Sequence, residues 1–158
     1  MTQHGIYDKL KVRVKRMLPL CLLTLLPLSS LAQGVPYLRN FSATEYKAHN
    51  MNFDVIAGND GTVYVANFEG LLYYDNADWH IIYTPGISRI TAVFQDSKGR
   101  LWTGGYNYFG YLKTDADGNL DMHPCPSKQP FQGEVQWIWE KDGNVYFLVS
   151  NKEVYAVQ

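Results

Sequence analysis

Ser97-Lys98-Gly99-Arg100-Leu101-Trp102 decides the fold, because the chain writes this phrase three times. The other copies are Asn59-Asp60-Gly61-Thr62-Val63-Tyr64 and Lys141-Asp142-Gly143-Asn144-Val145-Tyr146. Each sets an aliphatic residue two places after glycine and an aromatic one three places after it. The glycines at 61, 99 and 143 lie 38 and 44 residues apart. A period near 40 built of strand-forming residues marks a β-propeller, one blade per repeat. Glycine supplies the positive φ of a hairpin turn, which a preceding Asp or Lys tolerates.

The flanking runs read as strands, rich in β-branched and aromatic residues and bounded by turn formers. Phe53–Ala57, Ile90–Gln95 and Val135–Glu140 precede the turns, and Val63–Asn67, Leu101–Gly105 and Val145–Val149 follow them. A third strand follows at Gly70–Tyr74, Gly110–Lys113 and Glu153–Val157. Trp79–Tyr83 suggests a fourth strand in the first unit, and Leu120–His123 a weaker one in the second. The expected fold is all-β: propeller blades of three to four antiparallel strands. An ordinary β-sandwich with a chance repeat is the alternative.

Residues 1–32 are a different kind of sequence. Lys9, Lys11, Arg13, Lys15 and Arg16 precede the apolar run Met17–Leu28, and Ser30-Leu31-Ala32 then places small residues before Gln33. This is the pattern of a secretory signal peptide cleaved between Ala32 and Gln33. The apolar run is short for a span of about 20 residues, which disfavours an uncleaved anchor. Cys21 makes a poor lipoprotein site, since the apolar run continues past it.

The whole chain holds 14 basic and 15 acidic side chains. Without the leader's five basic groups and Asp8, 9 and 14 remain, a net charge of −5. That argues against a nucleic-acid surface, which needs clustered Lys and Arg. Only Cys125 remains, so no intramolecular disulfide is expected, and a bacterial periplasm suits such an exported chain. Residues 33–158 form about three blades, near 37–85, 86–128 and 129–158, where closed propellers use four to eight. The expectation is an incomplete propeller, either part of a longer protein or a truncated product. Its missing neighbours would be further blades or a second protomer.

Gly104-Gly105-Tyr106-Asn107-Tyr108-Phe109-Gly110 is the most ligand-like stretch, with aromatics and an amide in a Gly-flanked loop where sugar or aromatic rings could stack. Its counterpart in the first unit is Asn67-Phe68-Glu69-Gly70. The candidate ligand residues are Asn67, Phe68, Tyr106, Asn107, Tyr108 and Phe109; packing between blades is the competing role for the aromatics. Asp115, Asp117 and Asp121 alternate as oxygen ligands for calcium could. Leu120 and Pro126 stand where an EF-hand needs Gly and Glu, and a hairpin tip favours the same residue types. No metal or other cofactor is expected. His49, His80 and His123 lack zinc spacing, and no G-x-S-x-G elbow or dinucleotide motif occurs.

The second unit, Ile90 to Gly105, resembles the short repeat of two-component regulator propellers. Asp96, Gly99, Leu101, Trp102 and Gly104 stand where that repeat places Asp, Gly, an aliphatic residue, Trp and Gly. In the other units Gly58 and Glu140 replace the Asp, and Tyr64 and Tyr146 replace the Trp. The opening Pro36–Ala48, followed by Asn67–Asp75, is similar to the start of the triple-tyrosine-motif sensor regulators of Bacteroidetes. The resemblance implies a periplasmic propeller sensor, often glycan-responsive, followed in full-length relatives by a β-sandwich, a membrane helix and a cytoplasmic output.

The leading functional expectation is therefore a non-enzymatic, periplasmic input module of a transmembrane regulator, responding to a nutrient or glycan. One alternative is an exported binding or scaffold module that oligomerises. Another is a fragment of a propeller lyase or glycosidase, which would need paired carboxylates or a metal facing the channel.

Overall fold

The computed structural model describes residues 37–84, 86, 89–117, 119–125 and 132–157. The proposed leader, with Ala32 and Gln33, lies outside them. Three antiparallel sheets follow one another between residues 40 and 158. The first runs β1 (Asn52–Ala57), β2 (Val63–Asn67), β3 (Gly70–Tyr74) and β4 (Trp79–Ile82) in sequence order. The second runs β5 (Ile90–Gln95), β6 (Leu101–Gly105), β7 (Tyr108–Thr114) and β8 (Leu120–Pro124). The third has β9 (Val135–Lys141), β10 (Asn144–Val149) and β11 (Val154–Val157). A single helical turn, α1 (Ala43–Tyr46), precedes them. The architecture is that of consecutive propeller blades. The weakly signalled fourth strand of the second unit forms as β8, because Met122 is buried at its centre.

The strand register relates the three sheets residue by residue. Asp54 pairs with Ala66, Ala92 with Gly104, and Trp137 with Leu148. Each first strand has an irregularity just before that pair, skipping Phe53, Thr91 or Gln136. A bulge adds twist and turns the side chains after it onto the opposite face. Ile90 and Val93 thereby share a face despite their odd spacing.

The repeated phrase sets the packing direction. In β2, β6 and β10 the aliphatic and aromatic residues after the turn point to opposite faces. Tyr64 lies in one apolar cluster with Ile90, Val93 and Leu101 of the second sheet. Trp102 lies in another with Val135, Ile138 and Val145 of the third. So the aliphatic residues Val63, Leu101 and Val145 pack backwards, and the aromatic Tyr64 and Trp102 pack forwards. Gly104 permits the close approach of sheets two and three, since a Cβ there would lie 2.4 Å from Val135 Cγ1. The rearward face of the first sheet is covered by its own chain. Phe41, Ala43, Tyr46 and Ala48 pack on Val65, Leu72, Trp79 and Ile81.

The three turns are not alike. Gly61, Gly99 and Gly143 all have positive φ, at 84°, 84° and 75°. The first two turns are five residues long and share backbone bonds: Gly58 N–H to Thr62 O and Gly61 N–H to Gly58 O, then Asp96 N–H to Arg100 O and Gly99 N–H to Asp96 O. The third is a two-residue turn between paired Lys141 and Asn144, with Asp142 also at positive φ (52°), as a type I′ hairpin needs. The shorter turn corrects one alignment. Glu140 pairs with Val145 as Gln95 pairs with Leu101, so Glu140 matches Gln95 and Lys141 stands at the place of Asp96.

That correction exposes a repeated tie between sheets. Gln95 Oε1 accepts the Asn59 N–H of the first turn at 2.9 Å. The Glu140 carboxylate accepts both the N–H and the hydroxyl of Ser97 in the second turn, each at 2.7 Å.

Candidate functional site

The end of the sheets opposite the glycine turns carries the loops singled out by the sequence. The β2–β3 loop is Phe68-Glu69 and the β6–β7 loop is Tyr106-Asn107, each a two-residue connection closed by Asn67↔Gly70 or Gly105↔Tyr108. The sequence reading starts the third strand of the second unit at Gly110; it starts at Tyr108. Asn107 adopts a left-handed backbone (φ 54°), which turns the chain within two residues and returns Tyr108 and Phe109 to the sheet.

This geometry divides the six candidate ligand residues. Phe68, Tyr106 and Asn107 are exposed, and Asn67, Tyr108 and Phe109 are buried. Asn67 ties the chain together: its amide nitrogen donates to His49 O and to Asn52 Oδ1, and its Oδ1 accepts the Glu69 N–H. Phe109 stacks on Phe147 of the third sheet with centroids 4.7 Å apart. Burial pushes the Tyr108 phenol up to about 12, outweighing the Thr103 hydroxyl nearby, which acts the other way. Neither hydroxyl has a hydrogen-bond partner among the described residues.

The exposed members sit in polar company that sequence reasoning missed. Arg89 Nε meets Glu134 Oε1, joining the second sheet to the third. The Arg89 guanidinium also lies 5.4 Å from the centroid of the Tyr106 ring, within cation–π range. Asn107 donates its N–H to Gly133 O and accepts the Gly133 N–H on Oδ1, both at 2.8 Å. Ser150, in the β10–β11 loop, accepts the Glu134 N–H on its hydroxyl and donates its own N–H to Glu134 O. Phe68 packs against the His49 ring at 4.7 Å. Arg89 and Glu134 each stand one residue before a first strand. Aligning first strands at a step of 45, rather than glycines at 44, would have matched them.

The result is a loop face with an aromatic ring, an amide in a fixed turn and an ion pair, all held by backbone bonds. It can stack a planar or ring-shaped ligand and offer donors and acceptors beside it. The acidic stretch is built for turning. Asp115 accepts the N–H groups of Asp117 and Asn119 on Oδ1 and the Asn119 amide on Oδ2, and Asp121 accepts the Met122 N–H. Among the described residues no group of three or more His, Cys, Asp and Glu is placed to hold a metal ion. Burial raises the pKa of the half-buried Cys125 thiol.

Comparison with known proteins bears on the second sheet and on the fold. Residues 85–107 match the family model described as two-component regulator propeller. No curated protein matches the sequence. Among solved structures, the chain is similar to the extracellular domain of a protein described as a one-component system of B. thetaiotaomicron. The TM-score is 0.62 at 17% identity, over 77% of this chain and 17% of that one.

Proposed function

Taking the second sheet as a two-component regulator propeller repeat, we propose that this chain is an extracellular or periplasmic sensor module. It supplies the input to a membrane-spanning regulator and has no catalytic role of its own. The observation that carries the reading is the repeat at 85–107, set in a fold shared with an extracellular domain of a bacterial signalling protein. The leader-like residues 1–32 suit the same destination.

The ligand in this proposal is a neutral glycan or similar nutrient, received on the loop face. Tyr106 gives the stacking surface, and Asn107, Arg89 and Glu134 stand beside it. Asn67, Tyr108 and Phe109 support the loops from beneath. The test is a thermal-shift and titration screen of the purified chain against neutral oligosaccharides. Binding that Tyr106→Ala weakens at least about tenfold, about 1.4 kcal/mol, with an unchanged melting temperature, supports it. Binding that Tyr106→Ala leaves unchanged, or no binding to any member of the screen, removes the glycan reading.

A further inference from the structure

The β2–β3 loop presents an aromatic ring in the same place as the β6–β7 loop. Asn67 pairs with Asn52 as Gly105 pairs with Ile90, so Phe68 and Tyr106 hold equivalent positions on neighbouring sheets. They are 42% and 50% exposed. The third sheet has Ser150 there, whose N–H returns to Glu134 O as the Phe68 N–H returns to Met51 O. Its hydroxyl already accepts the Glu134 N–H. The row of rings therefore covers the first and second sheets and stops before the third.

Phe68 is held in place although water gives its ring no reason to be there. The backbone on both sides of it is fixed. Its own N–H donates to Met51 O at 3.1 Å, and the next N–H, of Glu69, donates to Asn67 Oδ1 at 2.9 Å. Asn67 is fully buried, and its amide nitrogen is bound to His49 O and Asn52 Oδ1. The His49 ring backs Phe68 at 4.7 Å, and the Met51 N–H donates to its Nδ1 at 3.1 Å, which fixes that ring in turn. A ring braced from behind yet exposed is a stacking surface formed before any ligand arrives. Binding on it meets little ordering cost.

Two such surfaces on adjacent sheets bear on the form of the ligand. Packed sheets lie about 10 Å apart, so a single sugar ring stacked on Tyr106 does not reach Phe68, whereas a chain of sugar rings does. We propose that Phe68 is a second stacking subsite, and that the ligand is a linear neutral oligosaccharide laid across the first two sheets. One of its rings rests on Tyr106 and another on Phe68. Glu69, exposed beside Phe68 in the same loop, disfavours an acidic sugar at that end. The inference rests on the glycan reading of the loop face and adds to it the length of the ligand and a second residue that holds it.

The test is an NMR titration of the full chain, which reads weak binding as well as strong. The probes are glucose, mannose, galactose and xylose, each beside its linear tetrasaccharides. At least one tetrasaccharide should bind more tightly than its monosaccharide. Phe68→Ala should weaken that tetrasaccharide about fivefold, as for one aromatic contact, and leave the monosaccharide where it was. Tyr106→Ala should weaken both, and Phe68→Tyr should restore the tetrasaccharide. A tetrasaccharide weakened by Tyr106→Ala and not by Phe68→Ala overturns the second subsite while the glycan reading stands. Binding untouched by Tyr106→Ala, or no binding by any probe, overturns both. Equal loss of monosaccharide and tetrasaccharide in Phe68→Ala also overturns the subsite, because damage to the loop accounts for it. If Phe68→Ala does not fold, Phe68→Leu keeps an apolar contact for His49 without a ring face and makes the same comparison.

Discussion

Asp96 Oδ2 accepts the indole N–H of Trp102 at 2.9 Å, while its Oδ1 accepts the N–H groups of Lys98 and Arg100. One carboxylate thus closes the second turn and fixes the aromatic ring on which the third sheet packs. Trp102 is 2% exposed, so an indole N–H left without this partner has no water to replace it. Asp96→Ala is expected to cost about 2–3 kcal/mol in urea denaturation. Asp96→Asn should cost less but still destabilise, because its NH2 group would face the indole donor. Trp102→Ala removes the ring itself and should cost about 3–5 kcal/mol. An Asp96→Ala variant as stable as the parent would show that the tie contributes nothing net.

The first turn solves the same problem with different residues. Gly58 replaces Asp96, and a Cβ there would stand 2.9 Å from Tyr64 Cε2 and 2.8 Å from Asp60 Oδ1. The Tyr64 ring occupies the room that the aspartate takes beside Trp102. Gly58→Asp alone and Tyr64→Trp alone should each destabilise. The double variant should recover about 1–2 kcal/mol of their sum. A double-mutant cycle by chemical denaturation checks this, and strict additivity would refute the coupling.

Tyr108 separates a packing role from a binding one. Its buried hydroxyl has no partner among the described residues, so Tyr108→Phe should leave stability unchanged or raise it by about 1 kcal/mol. The phenol is held at about 12 in the folded chain against an ordinary 10. A raised folded value means that its contribution is fully present below pH 10 and is lost as pH rises through 12. Melting temperatures between pH 10 and 12 should therefore fall less steeply for Tyr108→Phe than for the parent.

Asp75 gives the acid counterpart, on the surface. The N–H groups of Asp78 and Ala77, and then the His80 ring, hold its carboxyl at about 2, below the ordinary 3.8. A depressed folded value gives stabilisation that is complete above about pH 4 and is lost as pH falls through 2. Asp75→Asn should flatten the melting-temperature profile over that interval and leave the profile above pH 5 with the same slope. An unchanged acid limb would count against the turn bonds.

Most of the architecture is legible in the sequence because the repeat carries its own instructions. Turn glycines, alternating strands and the aliphatic–aromatic pair all point to the same sheets. What escaped reading was set by distant pairing. Five residues separate the paired Gln95 and Leu101 but four separate Glu140 and Val145, and this one-residue difference left a glycine alignment blind to the match of Glu140 with Gln95 and of Arg89 with Glu134. Tyr108 and Phe109 read as candidate ligand residues because the composition around them is that of a binding loop, yet the left-handed backbone of Asn107 ends that loop before them and leaves them the packing role. Nothing in the sequence signalled that Asn67 would be spent on His49 and Asn52, since those bonds form only when the end of β2 meets the stretch that leads into β1.

The covering of the first sheet by residues 41–48 has a consequence for the order of assembly. Phe41 packs edge-on to Trp79 at 5.2 Å, so a short stretch of chain seals one side of its own nearest sheet. A chain made from its N-terminus completes this sealed unit while it still has a single sticky side. The second sheet then has one landing place rather than two, and the third inherits the same choice. Assembly from that sheet runs outward, sheet by sheet, like bricks laid in a row.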